Sequence, residues 1–138
     1  MAQERERGRP VTGRRVSSGG PWEVRFGYSR VAIAGDMAFV AGTTDAGADG
    51  RSLHPGDPAG QARAVFEIIE RALGEAGFSL ADVVRTRMFV TDAADIAAIA
   101  AVHGEVFREV RPASSAVVVA ALIDPSLLVE IEADARRI

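Results

Sequence analysis

Only two segments of the 138-residue sequence place apolar residues at helical spacing, and this limits the folds open to the chain. The first begins at Asp57-Pro58, an N-cap followed by a proline suited to the first helical turn, and Gly77 closes it. The second runs from about residue 93 to residue 110 and ends at Pro112. The other patterned segments have the short apolar runs or the alternation of strands, so the predicted order is β-β-α-β-α-β-β.

Two helices are too few to cover both faces of the sheet that these strands would form. We therefore predict an α+β single domain with both helices on one face of a mixed sheet. In one strand, the helix side would carry Val84, Thr86, Met88 and Val90. The uncovered face would carry Arg85, Arg87, Phe89, Glu130 and Glu132. Because this face mixes charges with an aromatic ring, it suggests a contact between subunits.

The charge is unevenly distributed along the sequence. Residues 1–15 contain five arginines and two glutamates, which leaves a net charge of −6 for the rest of a chain whose total is −3. We predict a flexible basic leader over residues 1–20 and one folded domain over residues 21–138. The acidic domain disfavours binding to nucleic acid. The sequence has neither a membrane-length apolar run nor the apolar segment of a signal peptide, so we expect a cytoplasmic protein.

The side-chain inventory excludes several chemistries. There is no cysteine and every one of the sixteen basic residues is arginine, so thiol catalysis, lysine Schiff bases and a Walker-type phosphate loop are ruled out. The two histidines lack the spacing of metal ligands, and we predict no metal site. His54 falls in an exposed, turn-rich loop, whereas His103 lies on the apolar side of the second helix and is expected to pack there.

Several motifs, taken together, resemble one known family. They are "GYS" (27–29), "FVAGTT" (39–44), "QARAVFEIIERALGEAG" (61–77), "LADVVRTRMFVTD" (80–92), "RPASSAVVVAAL" (111–122) and "VEIEADA" (129–135). In their order and spacing they resemble the Rid (reactive intermediate deaminase) family, also called the YjgF or L-PSP endoribonuclease-like family. The resemblance implies a chorismate-mutase-like fold and a homotrimer around a central barrel, with a pocket between subunits. It also implies hydrolysis of enamines and imines to keto acids and ammonia, without a metal or organic cofactor.

The resemblance also implies roles for three residues. Glu130 matches the pocket acid that positions or activates water, although an ion pair with Arg85 or Arg87 would equally explain a carboxylate there. Tyr28 matches a tyrosine that closes the pocket from a neighbouring subunit. Gly42 matches the pocket glycine, whose backbone approaches the ligand closely, but it would also permit close packing of strands.

Ser114 departs from the family pattern. Active members carry an arginine at this position, directly after "PA", which grips the substrate carboxylate with two parallel hydrogen bonds. A serine hydroxyl supplies one neutral hydrogen bond instead. Arg87 is a candidate to restore the lost charge, or it only neutralises Glu130 or Glu132. Arg111 is a second candidate, although a residue before proline is expected to point to solvent here.

These features predict a Rid-like enzyme that hydrolyses or tautomerises an enamine, imine or related C–N bond but is not a typical 2-iminoacid deaminase. Substrates without a free α-carboxylate would suit Ser114 better. One alternative is a trimer that binds a metabolite, or serves a pathway as an accessory protein, without catalysis. A ribonuclease or translation inhibitor is a third class, which the acidic domain disfavours. The expected partners are a small-molecule ligand and further copies of the chain, with no membrane.

Overall fold

The structure, a computed structural model, describes residues 13–137. Its centre is one six-stranded sheet with the strand order β1-β2-β3-β6-β4-β5. The strands are β1 Arg14–Val16, β2 Val31–Ala34, β3 Met37–Thr43, β4 Val83–Val90, β5 Ala113–Val118 and β6 Val129–Arg136. The helices are α1 Glu23–Phe26, α2 Pro58–Glu75 and α3 Ile96–Val106, with short 3-10 turns at Leu80–Asp82 and Ala93–Asp95. Only β4 and β5 pair in parallel, so the predicted mixed α+β domain is confirmed.

Helices α2 and α3 pack on one face of the sheet, as two amphipathic helices require. Their apolar stripes share one core with alternate residues of the strands, for example Ile69 of α2, Ile99 of α3 and Ile131 of β6. The predicted N-cap of α2 is confirmed, because Asp57 Oδ1 accepts a hydrogen bond from the Gly60 amide at 2.9 Å. No helix within residues 13–137 is long and apolar enough to cross a membrane.

The structure corrects the sequence prediction in three places. Val84 is exposed and Val83 is buried instead, because a register shift in the pairing of β4 with β6 falls between Val83 and Arg85. The second helix is shorter than predicted, since its first turn is a 3-10 turn and its α-helical part ends at Val106. Arg14–Val16, placed in the predicted leader, form strand β1 and pair with β2. Residues 1–12 of that leader lie outside the described residues, where its flexibility stays a prediction.

A β-bulge in β3 shapes the region that matters for function. Val40 pairs with Ala133 of β6, but the next pair joins Thr43 to Ile131, so β3 contains one residue more than its partner over this stretch. The extra residue displaces the backbone at Ala41 and Gly42 from the regular ladder. Gly42 is thereby brought against the side chain of Glu130 on β6.

Strand β5 forms one edge of the sheet. All six of its residues are exposed in the single chain, including the apolar Val117 and Val118. An apolar edge strand with unpaired backbone groups is normally covered in a native protein. This edge is therefore suited to contact with another chain.

Candidate functional site

A cavity of about 440 Å³ lies beside the β3 bulge. Its walls come from the bulge at Gly42–Thr43, from Glu130, from Tyr28 and Arg30, and from the segment Ser18–Trp22. We call this last segment the strap. Ile68 and Arg71 of α2 complete the wall on the helix side. Three of the residues singled out from the sequence, Tyr28, Gly42 and Glu130, thus share one cavity.

The close approach of Glu130 explains why residue 42 is glycine. A Cβ atom on Gly42 would lie 2.8 Å from both Cδ and Oε2 of Glu130, closer than non-bonded atoms allow. The glycine is therefore needed for packing against Glu130, whatever its part in ligand contact. Both readings of Gly42 from the sequence, a cavity residue and a point of close strand packing, agree with this geometry.

The environment of Glu130 favours the protonated form of its carboxyl group. Its burial raises the pKa of the carboxyl group above the ordinary value, the neighbouring Glu132 raises it further, and Arg30 opposes both effects. Among the described residues no ion pair joins Glu130 to Arg85 or Arg87, so the alternative of a structural pair with them is wrong for the single chain. Arg87 pairs instead with Asp134, at 3.5 Å.

Arg30 is a cavity residue that the sequence analysis missed. It is 7% exposed, and its Nη1 donates hydrogen bonds to the Gly42 carbonyl at 2.6 Å and to Thr43 Oγ1 at 2.9 Å. These contacts fix the bulge of β3 from the neighbouring strand. One feature of the sequence could have indicated this role. Arg30 lies between the "GYS" motif and the first residue of β2, the buried Val31.

Glu23, also missed from the sequence, anchors the strap. The buried carboxylate accepts hydrogen bonds from the amides of Ser18 and Gly20 and from Ser18 Oγ at 2.5 Å. Burial would raise the pKa of Glu23, but the hydrogen bonds from Ser18 and Gly20 and the charge of Arg30 outweigh it and lower the pKa. The anchored strap forms one side of the cavity.

Tyr28 is partly exposed at the cavity, with the Arg30 guanidinium 5.7 Å from its ring centroid. The resemblance places this tyrosine in the pocket of a neighbouring subunit. In this structure it lines the same cavity as Glu130 of its own chain. An intersubunit role therefore requires that the cavity itself lie at a contact between subunits.

Ser114 lies outside this cavity, on the exposed edge strand β5. Its Oγ accepts a 2.8 Å hydrogen bond from Thr86 Oγ1, which also lies 2.7 Å from His103 Nε2. His103 packs against the rings of Phe66 and Phe107, as its apolar position predicts, and burial lowers its pKa. Ser114 is thus the outer end of a hydrogen-bonded chain that starts at a partly buried imidazole.

Arg87 and Ser114 lie on opposite faces of the sheet. Ser114 pairs in register with the buried Thr86, whereas Arg87 projects to the uncovered face, as predicted. A single chain therefore does not bring Arg87 to the place of the missing arginine. Arg111, the second candidate, is exposed as predicted and has a positive φ of 52°.

The loop after β3 contains a further polar cluster around Asp45, which lies between the cavity-lining residues Thr44 and Ala46. His54 is exposed, as predicted, and its Nδ1 lies 3.0 Å from Oδ2 of the buried Asp45, which also accepts a hydrogen bond from Ser52. These contacts hold the loop in shape. Over residues 13–137, no group of three or more His, Cys, Asp or Glu side chains is placed to hold a metal ion.

A single mixed sheet, two helices on one face and a cavity built around an acidic side chain define a small α+β domain with one candidate site. Residues 22–137 match the family described as endoribonuclease L-PSP, and the chain belongs to this family, which includes the YjgF, RutC and Rid proteins. The family resemblance seen in the sequence is therefore confirmed.

Three similar proteins illustrate the relationship. Rv2704 of Mycobacterium tuberculosis, a YjgF/YER057c/UK114 family member, is 48% identical; the match covers 90% of this chain and 98% of Rv2704, with a TM-score of 0.81. The 3-aminoacrylate deaminase RutC of Acinetobacter baylyi is 39% identical over 75% of this chain and 82% of RutC. TdcF of E. coli, solved with bound serine, is 31% identical over 92% of this chain and 96% of TdcF, with a TM-score of 0.72.

Proposed function

We propose that this protein is a small-molecule enzyme that hydrolyses or tautomerises an enamine, imine or related C–N bond in the cavity, with Glu130 as its acid and base. The observation that carries the proposal is the environment of the Glu130 carboxyl group. This carboxyl group lies half-buried in a cavity, has a raised pKa, and has no ion-pair partner among the described residues. The 39% identity to a protein named as a deaminase of 3-aminoacrylate supports the same reaction class.

The proposed reaction consumes one water and releases one ammonia. The protonated Glu130 carboxyl group first gives a proton to the β-carbon of the enamine, which becomes an iminium ion and leaves Glu130 as a carboxylate. Glu130 then removes a proton from water as the oxygen adds to the C=N carbon, and it passes that proton to the nitrogen of the resulting amino alcohol. Finally Glu130 takes the hydroxyl proton as the C–N bond breaks, so ammonia leaves, the carbonyl product remains and the protonated Glu130 is restored. A carboxyl group with a raised pKa suits both halves of this transfer.

The other cavity residues would orient the ligand. The Tyr28 hydroxyl is a hydrogen-bond donor at the cavity, and the backbone of Gly42 is open to close approach. We propose that Ser114 and Arg87 contact ligand only in a homotrimer, in which the exposed β5 of one subunit borders the cavity of the next. The serine bound to TdcF shows that a relative takes a small amino acid. A cytoplasmic location and catalysis without a cofactor complete the proposal.

Ammonia release from 2-aminoacrylate and 3-aminoacrylate, generated in the assay by coupled enzymes, tests the proposal. We expect the wild type to accelerate release from at least one of them. Glu130→Gln should lower that rate by roughly a hundredfold or more, the contribution typical of a general acid-base group. Glu109→Gln, at an exposed position outside the cavity, serves as the matched control and should keep the wild-type rate.

Two results would contradict the proposal. Equal rates for wild type and Glu130→Gln would remove Glu130 from the chemistry. A wild type that binds metabolites but accelerates no release would favour the non-catalytic binding protein. Ser114→Arg, run in parallel, reports whether a cation at this position increases the turnover of 2-aminoacrylate.

A further inference from the structure

Arg30 is a buried cation in a cavity wall, and its contacts account for only part of its hydrogen-bonding capacity. The guanidinium carries five N–H donors in a rigid plane. Nη1 donates to the Gly42 carbonyl and to Thr43 Oγ1 at 2.6 and 2.9 Å. These bonds explain why an arginine holds the bulge, but they use one nitrogen of three.

The remaining two nitrogens form an uncommitted edge. Nε is buried without any hydrogen-bond partner among the described residues. Nη2 lies 3.8 Å from Glu23 Oε2, which is too long for a hydrogen bond. The Nε–H and one N–H of Nη2 lie in the guanidinium plane and point outward from the same edge. This edge is one of those with which arginine binds both oxygens of a carboxylate.

Glu23 does not supply that carboxylate. Its oxygens accept hydrogen bonds from Ser18 and Gly20 and are thereby turned towards the strap. Glu23 balances the charge of Arg30 as an ion pair at 3.8 Å but makes no hydrogen bond to it, so the buried Nε–H has no acceptor among the described residues. A carboxylate at this edge would accept hydrogen bonds from both open N–H groups.

We propose that the Nε–Nη2 edge of Arg30 binds the carboxylate of a small organic acid. The inference rests on the proposed function and refines it, because Arg30 would supply a cation to a cavity that, in the proposed homotrimer, is bordered by Ser114 in place of the family's arginine. It also revises the expectation that substrates without a carboxylate fit best. Because Nε is closed off from solvent, the acid reaches this edge only when the strap moves outward and releases the hydrogen bonds that Ser18 and Gly20 donate to Glu23.

Binding of pyruvate and of its neutral methyl ester tests the inference without requiring turnover. By calorimetric titration, we expect wild type to bind pyruvate at least about tenfold more tightly than methyl pyruvate, because a charge-assisted pair is lost in the ester. Arg30→Gln should abolish this preference. Arg30→Lys keeps the positive charge but loses the two parallel N–H donors, and it should retain a smaller preference for pyruvate. Arg63→Gln, on the exposed side of α2, is the control and should behave as wild type.

Three results would overturn the inference: equal affinity of wild type for the two compounds, no binding of pyruvate, or a preference that survives in Arg30→Gln. Circular dichroism verifies that the variants are folded. If Arg30→Gln does not fold, the inference is judged by the ratio of the wild-type affinities for pyruvate and methyl pyruvate and by the smaller ratio expected for Arg30→Lys. Failure of the proposed function has a different signature. Ammonia release unchanged in Glu130→Gln, together with a pyruvate preference that depends on Arg30, would leave a carboxylate-binding protein.

Discussion

At the scale of single residues, the position of Glu130 lowers the stability of the fold when its carboxyl group is ionised. Burial and the proximity of Glu132 both disfavour its ionised form in the folded protein. In the unfolded chain the same carboxyl group is solvated and ionises at its ordinary pKa. The folded state therefore binds a proton more readily than the unfolded state in the pH range between these two pKa values.

This difference predicts how pH changes the effect of Glu130→Gln on stability. Since the folded pKa is raised, ionised Glu130 destabilises the fold above that pKa, and the penalty disappears as pH falls below the unfolded value of 4.5. Thermal unfolding should show Glu130→Gln to be more stable than wild type at pH 8, with the difference shrinking towards pH 4. A constant difference across this range, or a variant less stable at pH 8, would contradict the assignment.

The sequence predicted some of these residues better than others. Tyr28, Gly42 and Glu130 belong to motifs with a recognisable pattern, and the structure brings them together. Arg30 and Glu23 belong to none of the quoted motifs, and their burial depends on how residues 18–22 fold back over the cavity. Such a contact between a turn and a distant strand has no periodicity to reveal it.

At the scale of elements, the bulge in β3 positions the candidate site. It brings Gly42 against the Glu130 carboxyl group and presents the Gly42 carbonyl to Arg30. The sequence predicted the strands but not the bulge, because most residues of β3 are apolar or small and show no alternation that an extra residue would interrupt.

Gly42→Ala tests the coupling between this bulge and Glu130. The added Cβ would lie 2.8 Å from the carboxyl group, so Glu130 must move away from its present position. We expect ammonia release to fall by about tenfold or more, as misplaced catalytic groups typically cause, while the protein remains folded. Gly104→Ala is the matched control, because a Cβ there meets open space. Equal activity of Gly42→Ala and wild type would show that the placement of Glu130 is unimportant.

The face of the sheet on which a residue lies was predictable only in strands where apolar and polar residues alternate. In β6 the alternation is complete, and Val129, Ile131 and Ala133 are buried as their pattern indicates. In β5 nearly every residue is small or apolar, so the pattern does not say which face Ser114 occupies. Its register with Thr86 settles this, and register depends on the neighbouring strand rather than on β5 itself.

At the scale of the whole molecule, a single chain leaves one sheet face uncovered. Phe39 is 44% exposed on this face, and Val117 on the edge strand is 47% exposed. Between them lie charged residues of both signs, including Arg87 and Asp134. The sequence predicted this face correctly from alternation, although the number of copies that cover it follows from the family resemblance alone.

We expect the protein to be a trimer in solution, with a mass about three times the 14.5 kDa of one chain. Light scattering after size-exclusion chromatography measures this directly. Phe39→Glu places a charge on the uncovered face and should shift the distribution towards monomer, because burying an unpaired charge in a contact is strongly unfavourable. Leu53→Glu, on an exposed loop, should remain a trimer. A monomeric wild type, or a trimer unaffected by Phe39→Glu, would contradict the prediction.

Most of the strap lies before the residues that the family model matches, yet it belongs to the cavity wall. The match to the family begins at residue 22, whereas the cavity wall begins at Ser18 and is fastened by Glu23. A shortened protein cut at the family boundary would keep all but the first strand of the sheet and lose one side of its cavity. A shortened protein intended to preserve the cavity must therefore begin before Ser18, because the family boundary alone does not mark where the cavity wall starts.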